Sequence, residues 1–256
     1  MCRLAAYRGP ELFLDRLLNE EPHSLVTQSW ASRELPGTTL NADGFGFGWY
    51  TSDNAPAVYT STLPIWTDTN LHGLGKSLSS HTWLAYIRSA TPGQAVSQAN
   101  TQPFAHKHIM YLHNGRIEQF NAGPRAQLHR FIDAEIQAEI QGNTDSEYLF
   151  ALFRHFLAQE NSIRAALLRC CNEIGRLLER PALLTMVISD GRDFFCCRHS
   201  VNGARCPTLY YSQNHPSFAG ALIIASERFS HDDCWREIPA HTCLFTDAGN
   251  TELLAL

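Results

Sequence analysis

No apolar run in this 256-residue chain approaches the roughly 20 residues that a membrane-spanning helix needs. The N-terminus also lacks the basic start and apolar stretch of a signal peptide. A cytoplasmic protein with no membrane partner is therefore expected. There is no basic patch: 20 Lys and Arg are scattered against 25 Asp and Glu, for a net charge of -5, which argues against a nucleic-acid partner. No CxxC spacing occurs among the eight cysteines, which sit as Cys2, the adjacent pairs Cys170-Cys171 and Cys196-Cys197, Cys206, Cys234 and Cys243. Reduced thiols are expected, rather than a disulfide framework or a zinc site. The 12 histidines form no HExxH motif and no His/carboxylate cluster at ligand spacing, so no metal is expected. No GxGxxG leads into a helix, and no cofactor is expected. Linkers, repeats and low-complexity segments are absent as well.

What is present is a chain with 44% hydrophobic residues, enough to bury a full core over residues 1–256 as a single domain. An apolar strand opens the chain, and a short amphipathic helix is predicted from Glu11 to Leu18. A loop-rich stretch follows from Pro22 to Pro36. In Asn41-Ala42-Asp43-Gly44-Phe45-Gly46-Phe47-Gly48-Trp49-Tyr50, glycine alternates with aromatics. That period of two predicts a strand, and its glycines let one face approach another backbone or a ligand closely. Further strands are predicted at Ala57–Thr62, Trp83–Arg88 and Ile109–His113, with turns at Pro92-Gly93 and Asn114-Gly115. Two or three helices are expected between Arg125 and Leu178, with Tyr148, Leu149, Leu152, Phe153 and Phe156 on one face. A hairpin across Asp190-Gly191-Arg192 and strands near Thr208–Ser212, Leu222–Ala225 and Thr242–Phe245 complete the pattern. Strands, then helices, then strands favour an α+β layered fold over a doubly wound sheet.

Four segments carry chemistry. In Met1-Cys2-Arg3, loss of Met1 gives one residue both a nucleophilic sulfur and a free α-amine to take its proton. An α-amine titrates at about 7.7–8.0 and a thiol at about 8.5, both within reach of neutral pH. The strand Leu84-Ala85-Tyr86-Ile87 ends on Arg88, whose two-pronged guanidinium suits a carboxylate; a solvated strand end is the plainer reading. In His113-Asn114-Gly115, Asn-Gly is a hairpin signal, and an Asn amide beside a backbone N–H equally makes an oxyanion hole. Thr144 or Asp145 caps a helix start, where an Asp also suits a substrate ammonium.

In this order, Cys2, Arg88-Ser89-Ala90-Thr91, His113-Asn114-Gly115 and Thr144-Asp145-Ser146-Glu147 resemble the glutaminase domain of class II glutamine amidotransferases. The resemblance implies an N-terminal-nucleophile hydrolase, a four-layer αββα sandwich of two antiparallel sheets. Pro22-His23-Ser24-Leu25, Gln28-Ser29-Trp30, the Asn41–Tyr50 stretch and Ala225-Ser226-Glu227 extend the likeness along nearly the whole chain. They are similar to the branch that works in ergothioneine biosynthesis, which removes the γ-glutamyl group from γ-glutamyl-hercynylcysteine S-oxide.

By that resemblance Cys2 attacks the γ-carbonyl, Asn114 and the Gly115 N–H hold the oxyanion, Arg88 grips the α-carboxylate and Asp145 the α-ammonium. Thr91, His113, Trp30, Asp43, Gly44 and Phe45 complete the implied substrate-binding set. Trp30, Phe45, Phe47 and Trp49 are candidates for a surface that attracts a trimethylammonium group, with core packing as the plainer reading. Arg33 is a candidate for the hercynine carboxylate. The large amidotransferases usually carry a His and a Trp where this chain has Tyr86 and Ser89. The partner expected is a small γ-glutamyl substrate. A homo-oligomer and a separate synthase that receives ammonia both stay open, as does a non-catalytic relative that binds γ-glutamyl metabolites.

Overall fold

A computed structural model describes residues 2–34, 40–91, 93–231, 233–247 and 249–256. In chain order the elements are β1 (Arg3–Phe13), α1 (Leu14–Asn19), α2 (Leu25–Ala31), β2 (Phe45–Tyr50), β3 (Pro56–Ser61), α3 (Leu71–Ser77), β4 (Ser79–Ile87), β5 (Phe104–His106) and β6 (Ile109–Ile117). There follow α4 (Pro124–Phe131), α5 (Ala134–Gln137), α6 (Asp145–Leu157) and α7 (Ile163–Leu177). The chain ends with β7 (Ala182–Ser189), β8 (Phe194–Val201), β9 (Tyr210–Ser212), β10 (Leu222–Ala225), β11 (Arg236–Glu237), β12 (Thr242–Asp247) and β13 (Asn250–Ala255). One sheet has the order β11-β9-β10-β1-β4-β2-β3 and the other β13-β12-β8-β7-β6-β5. The pairings within both are antiparallel.

Successive side chains on a strand point to opposite faces, and this alternation builds the layers. Cys2, Leu4 and Ala6 share a core with Leu84 and Tyr86 of β4, Met110 and Leu112 of β6, Val187 of β7 and Leu244 of β12. Because it draws on both sheets, this core lies between them. Ala5, Tyr7, Phe45, Phe47, Trp83 and Ile87 pack instead with Leu14, Leu17, Leu25 and Leu71 from α1, α2 and α3. On the far side Tyr111, Leu184 and Met186 pack with Leu149, Leu152, Phe153 and Phe156 of α6 and Leu167 of α7. The result is the expected α+β sandwich: helices, sheet, sheet, helices. Among the described residues no helix is long and apolar enough to cross a membrane.

Several local expectations are corrected. The predicted Glu11–Leu18 helix begins only at Leu14, because β1 continues past an irregularity after Arg8 and pairs Leu12 with Ser80 and Phe13 with Ser79. Sheet pairing overrides the local helical period there. The stretch from Pro22, of which residues 35–36 lie outside the described residues, contains α2, capped by the Ser24 hydroxyl accepting from the Thr27 N–H at 3.3 Å. Asn114-Gly115 is no turn: β6 runs through it, with Asn114 opposite Thr185 and Gly115 opposite Leu184. An Asn-Gly hairpin turn needs positive φ at both residues, and neither has it. Four helices, not two or three, lie between β6 and β7. The edge strands β5, β11 and β13 and helix α3 were not anticipated.

The alternating glycines of β2 behave as expected. A Cβ on Gly46 would lie 2.2 Å from the Gln102 carbonyl oxygen, and one on Gly48 would lie 2.5 Å from the Met110 sulfur. Gly46→Ala is expected to destabilise the protein by about 1–3 kcal/mol, since backbone has to move to admit the methyl group. In Gly73→Ala, a Cβ meets nothing within 4 Å inside α3, and a gain of about 0.5–1 kcal/mol is expected from lower unfolded-chain entropy. Urea unfolding of the two variants, side by side, checks both signs.

Candidate active site

Cys2 sits at the head of β1, a central strand flanked by β4 and β10. Its sulfur points between the sheets and accepts the Ser89 N–H at 3.2 Å, with the Ser89 carbonyl oxygen 3.4 Å away. Tyr86 lies beside it on the inner face of β4. Burial, reinforced by the neighbouring Cys2 sulfur, raises the Tyr86 phenol well above its ordinary value, so it stands by the sulfur as a neutral hydroxyl.

Arg88 follows Tyr86 by two residues and so continues the same face. It is 3% exposed. Its guanidinium donates to the Ala95 carbonyl at 2.9 Å and makes a long contact, 3.5 Å, with the Asp43 carbonyl. Among the described residues no carboxylate pairs with it. Asp43 and Gly44 extend the pairing of β2 and β4: the Arg88 N–H donates to the Gly44 carbonyl at 2.8 Å, and the Asp43 N–H to the Arg88 carbonyl at 3.1 Å. The Asp43 carboxylate also accepts the Ala90 N–H at 2.8 Å. Gly44 has φ +117°, and a Cβ there would meet the Ser61 carbonyl oxygen at 2.7 Å, which accounts for glycine. These two residues hold the chain around Arg88.

Residues 89–95 join the parts. Ser89 meets Cys2, Ala90 is held by Asp43, and the Ala95 carbonyl takes Arg88. A turn closes where the Gln94 N–H donates to the Thr91 carbonyl at 3.0 Å, with Gly93 at φ +88°; Pro92 of the predicted turn lies outside the described residues. Gln94 then reaches the Asp145 carboxylate, at 3.5 Å. Asp145 begins α6, behind a Thr144 cap whose hydroxyl accepts the Glu147 N–H. Its carboxylate also takes the Ile117 N–H at 2.7 Å and the Ser146 N–H at 3.0 Å. Thr91, Gln94, Arg116 and Asp145 line a cleft of about 430 Å³.

Asn114 continues the inward row of Met110 and Leu112, so β6 aims it at the sheet that carries Cys2 and Arg88. Its amide oxygen is buried without a partner among the described residues. His113 points the other way. It is fully buried under α6, with Nδ1 2.9 Å from the Ser146 hydroxyl and Nε2 2.8 Å from the Leu183 carbonyl. Its expected place against substrate is therefore corrected: both ring nitrogens are committed to tying β6 to α6 and β7. Burial lowers its pKa and so favours the neutral ring, although the Asp145 charge pulls the other way. Gly115 is needed because a Cβ would lie 2.0 Å from the Leu183 oxygen and 2.5 Å from the His113 ring.

Of the proposed aromatic surface, Phe45 and Phe47 are corrected. Both rings are wholly buried and pack with Tyr59, so neither offers a face to a ligand. Trp30 is 44% exposed and meets Trp66 edge-on at 5.9 Å. Arg33 reaches the His231 ring at 3.0 Å.

Sequence reasoning gave no role to three buried ionisable groups behind Cys2. Glu227 meets Arg3 at 2.9 Å and His23 at 2.7 Å. Burial alone would push the Glu227 carboxyl up, but the His23 hydrogen bond, the Arg3 charge and the Arg33 N–H outweigh it and hold the carboxyl below its ordinary value. Gln102 was also missed; its side-chain amide brackets the main chain of His113, accepting its N–H at 2.5 Å and donating to its carbonyl at 3.0 Å. Arg3, His23 and Glu227 each lie in a segment that the sequence singled out without giving them a role, and nothing local marked Gln102.

Residues 19–221 match the model of the class II glutamine amidotransferases. The chain is 34% identical over 161 residues to “Probable glutamine amidotransferase DUG3” of Saccharomyces cerevisiae, covering 60% of this chain and 44% of that protein. It is 36% identical over 130 residues to a γ-glutamyl-hercynylcysteine sulfoxide hydrolase of Mycobacterium tuberculosis, covering 50% and 55%. The chain thus spans about half the length of the curated relatives it matches. A solved glutamine aminotransferase class-II domain protein from Silicibacter pomeroyi shares the fold, with a TM-score of 0.72 at 24% identity over 99% of both chains. With four-fifths of its length matched and the fold held in common, the chain belongs to the class II glutamine amidotransferases.

Proposed function

We propose that this chain hydrolyses γ-glutamyl amides with Cys2 as the nucleophile, once Met1 is gone. The observation that carries the reading is Arg88: a buried cation just past the end of β4, bonded among the described residues only to carbonyl oxygens and two residues beyond the phenol that flanks the Cys2 sulfur. A buried charge without a counter-ion is costly, and the α-carboxylate of a glutamyl group supplies one. Asp145 then takes the α-ammonium at the cleft shared with Thr91.

In this mechanism the Cys2 α-amine accepts the thiol proton, and the sulfur attacks the γ-carbonyl carbon. The Asn114 amide and the Gly115 N–H hold the resulting oxyanion. Collapse expels the amine, which takes the proton back from the α-ammonium, and leaves a thioester on Cys2. Water attacks the thioester, releasing glutamate and restoring the thiol. The leaving group we favour is hercynylcysteine S-oxide, supported by the mycobacterial relatives and by the exposed Trp30–Trp66 pair, which suits a trimethylammonium group. Glutamine, with ammonia passed to a separate synthase, is the second reading, favoured by the yeast relative's name.

Glutamate release from glutamine, glutathione, γ-glutamylcysteine and γ-glutamyl-hercynylcysteine S-oxide separates these readings. Turnover of the last alone, lost in Cys2→Ala, is expected. Preference for glutamine selects the synthase-coupled reading, and no turnover of any substrate sinks both in favour of a binding protein.

Asn114→Ala is expected to lower kcat by about 10²–10³-fold, the usual cost of one oxyanion donor. Arg88→Ala is expected to weaken substrate capture by about 2–5 kcal/mol, read as a raised KM. An unchanged KM in that variant removes Arg88 from the binding site.

A further inference from the structure

Behind the head of β1, Arg3, His23 and Glu227 are each at most 2% exposed. Removing ionisable groups from water is costly, and well-packed apolar residues often serve stability as well or better. Stability alone therefore does not account for three such groups beside the nucleophile.

Once Met1 is lost, Cys2 retains a single peptide group, on its carbonyl side, because its nitrogen is committed to proton transfer. Chain ends fray unless they are tied down. Arg3 Nη1 donates to the Cys2 carbonyl at 2.8 Å, while Nε of the same guanidinium meets Glu227 at 2.9 Å. The other Glu227 oxygen accepts from His23 Nε2 at 2.7 Å and from the Arg33 N–H at 2.6 Å. His23 is itself fixed, its N–H donating to the Phe229 carbonyl at 3.1 Å and its carbonyl accepting from the Gln28 amide at 2.9 Å. The neighbouring Ser226 grips Leu4 twice: its hydroxyl accepts the Leu4 N–H and its own N–H donates to the Leu4 carbonyl, both at 3.0 Å. Arg3 lies on the face of β1 opposite the Cys2 sulfur, so the network stands behind the nucleophile.

We propose that Arg3, Glu227 and His23 form a clamp that fixes the Cys2 carbonyl, and with it the sulfur and α-amine, for attack. The proposal rests on Cys2 being the nucleophile. All three are positioning residues: they set where the sulfur stands, not how reactive it is.

The test pairs Arg3→Met/Glu227→Met, which removes both charges and leaves neither orphaned, with the conservative Glu227→Gln and with Cys2→Ala. Intact mass checks Met1 removal in each, and thermal melting checks the fold. The substrate is whichever γ-glutamyl amide the wild-type protein turns over fastest. For the double variant a fall in kcat of about 10²-fold is expected, with KM and the rate of Cys2 alkylation by iodoacetamide each within about threefold, since alkylation does not need aligned attack. Glu227→Gln keeps an acceptor for His23 and Arg33 and is expected to lose only about tenfold. If the double variant does not fold, Glu227→Gln carries the test, and an unchanged kcat there overturns the clamp. Wild-type kcat in a folded double variant overturns it too, as does a loss that merely tracks a lower melting temperature. Cys2→Ala that still releases glutamate instead overturns the nucleophile assignment, whatever the clamp variants do.

Discussion

The antiparallel pairing of β1 on both of its edges is the constraint on which the site depends. Cys2 stands at the head of the strand, so its position comes from its neighbours. β4 supplies one edge, with Arg3 opposite Ile87, and β10 the other, with Ala5 opposite Ala225. The same pairings fix side-chain parity. Cys2 faces into the sandwich because Leu4 and Ala6 do, and Arg3 faces away with Ala5 and Tyr7. A slip of one residue would turn the sulfur out of the site and put a guanidinium in its place.

Residues 89–95 convert this framework into a site. Through them the Cys2 sulfur, Asp43, Arg88 and the start of α6 share one short length of chain. Backbone groups do most of the holding: the sulfur receives an N–H, Arg88 faces carbonyl oxygens, and Asp145 accepts N–H donors. Main-chain groups do not titrate, so the frame keeps its geometry as charges move during a reaction. Only groups with a place in the chemistry need change state.

Much of this was legible where one stretch had to meet two unlike demands. In β2, aromatics on one face and glycine on the other could satisfy only a strand with a core on one side and a close backbone on the other, and the Gln102 carbonyl is that backbone. The inward face of α6 was legible for the same reason. Asn114-Gly115 misled because its local preference for a turn equals its fitness for a crowded strand; what decides between them is the Leu183 carbonyl, some seventy residues away. The directions of Asn114 and His113 follow from parity only once β6 is known to continue. Arg3, His23 and Glu227 each lie in a segment that the sequence singled out, but their contact with one another was not legible, because only the finished sheet brings them together.

The placement of β10 beside β1 also bears on the order of events during synthesis. Leu4 is held by Ser226, 222 residues further along the chain, so the head of β1 cannot be enclosed until almost the whole protein has been made. In the finished fold Cys2 is 9% exposed. At about 5–20 residues per second, the interval before β10 arrives lasts on the order of 10–40 s. The topology thus leaves the head of β1 without its β10 neighbour through most of synthesis, and encloses Cys2 only once β10 arrives.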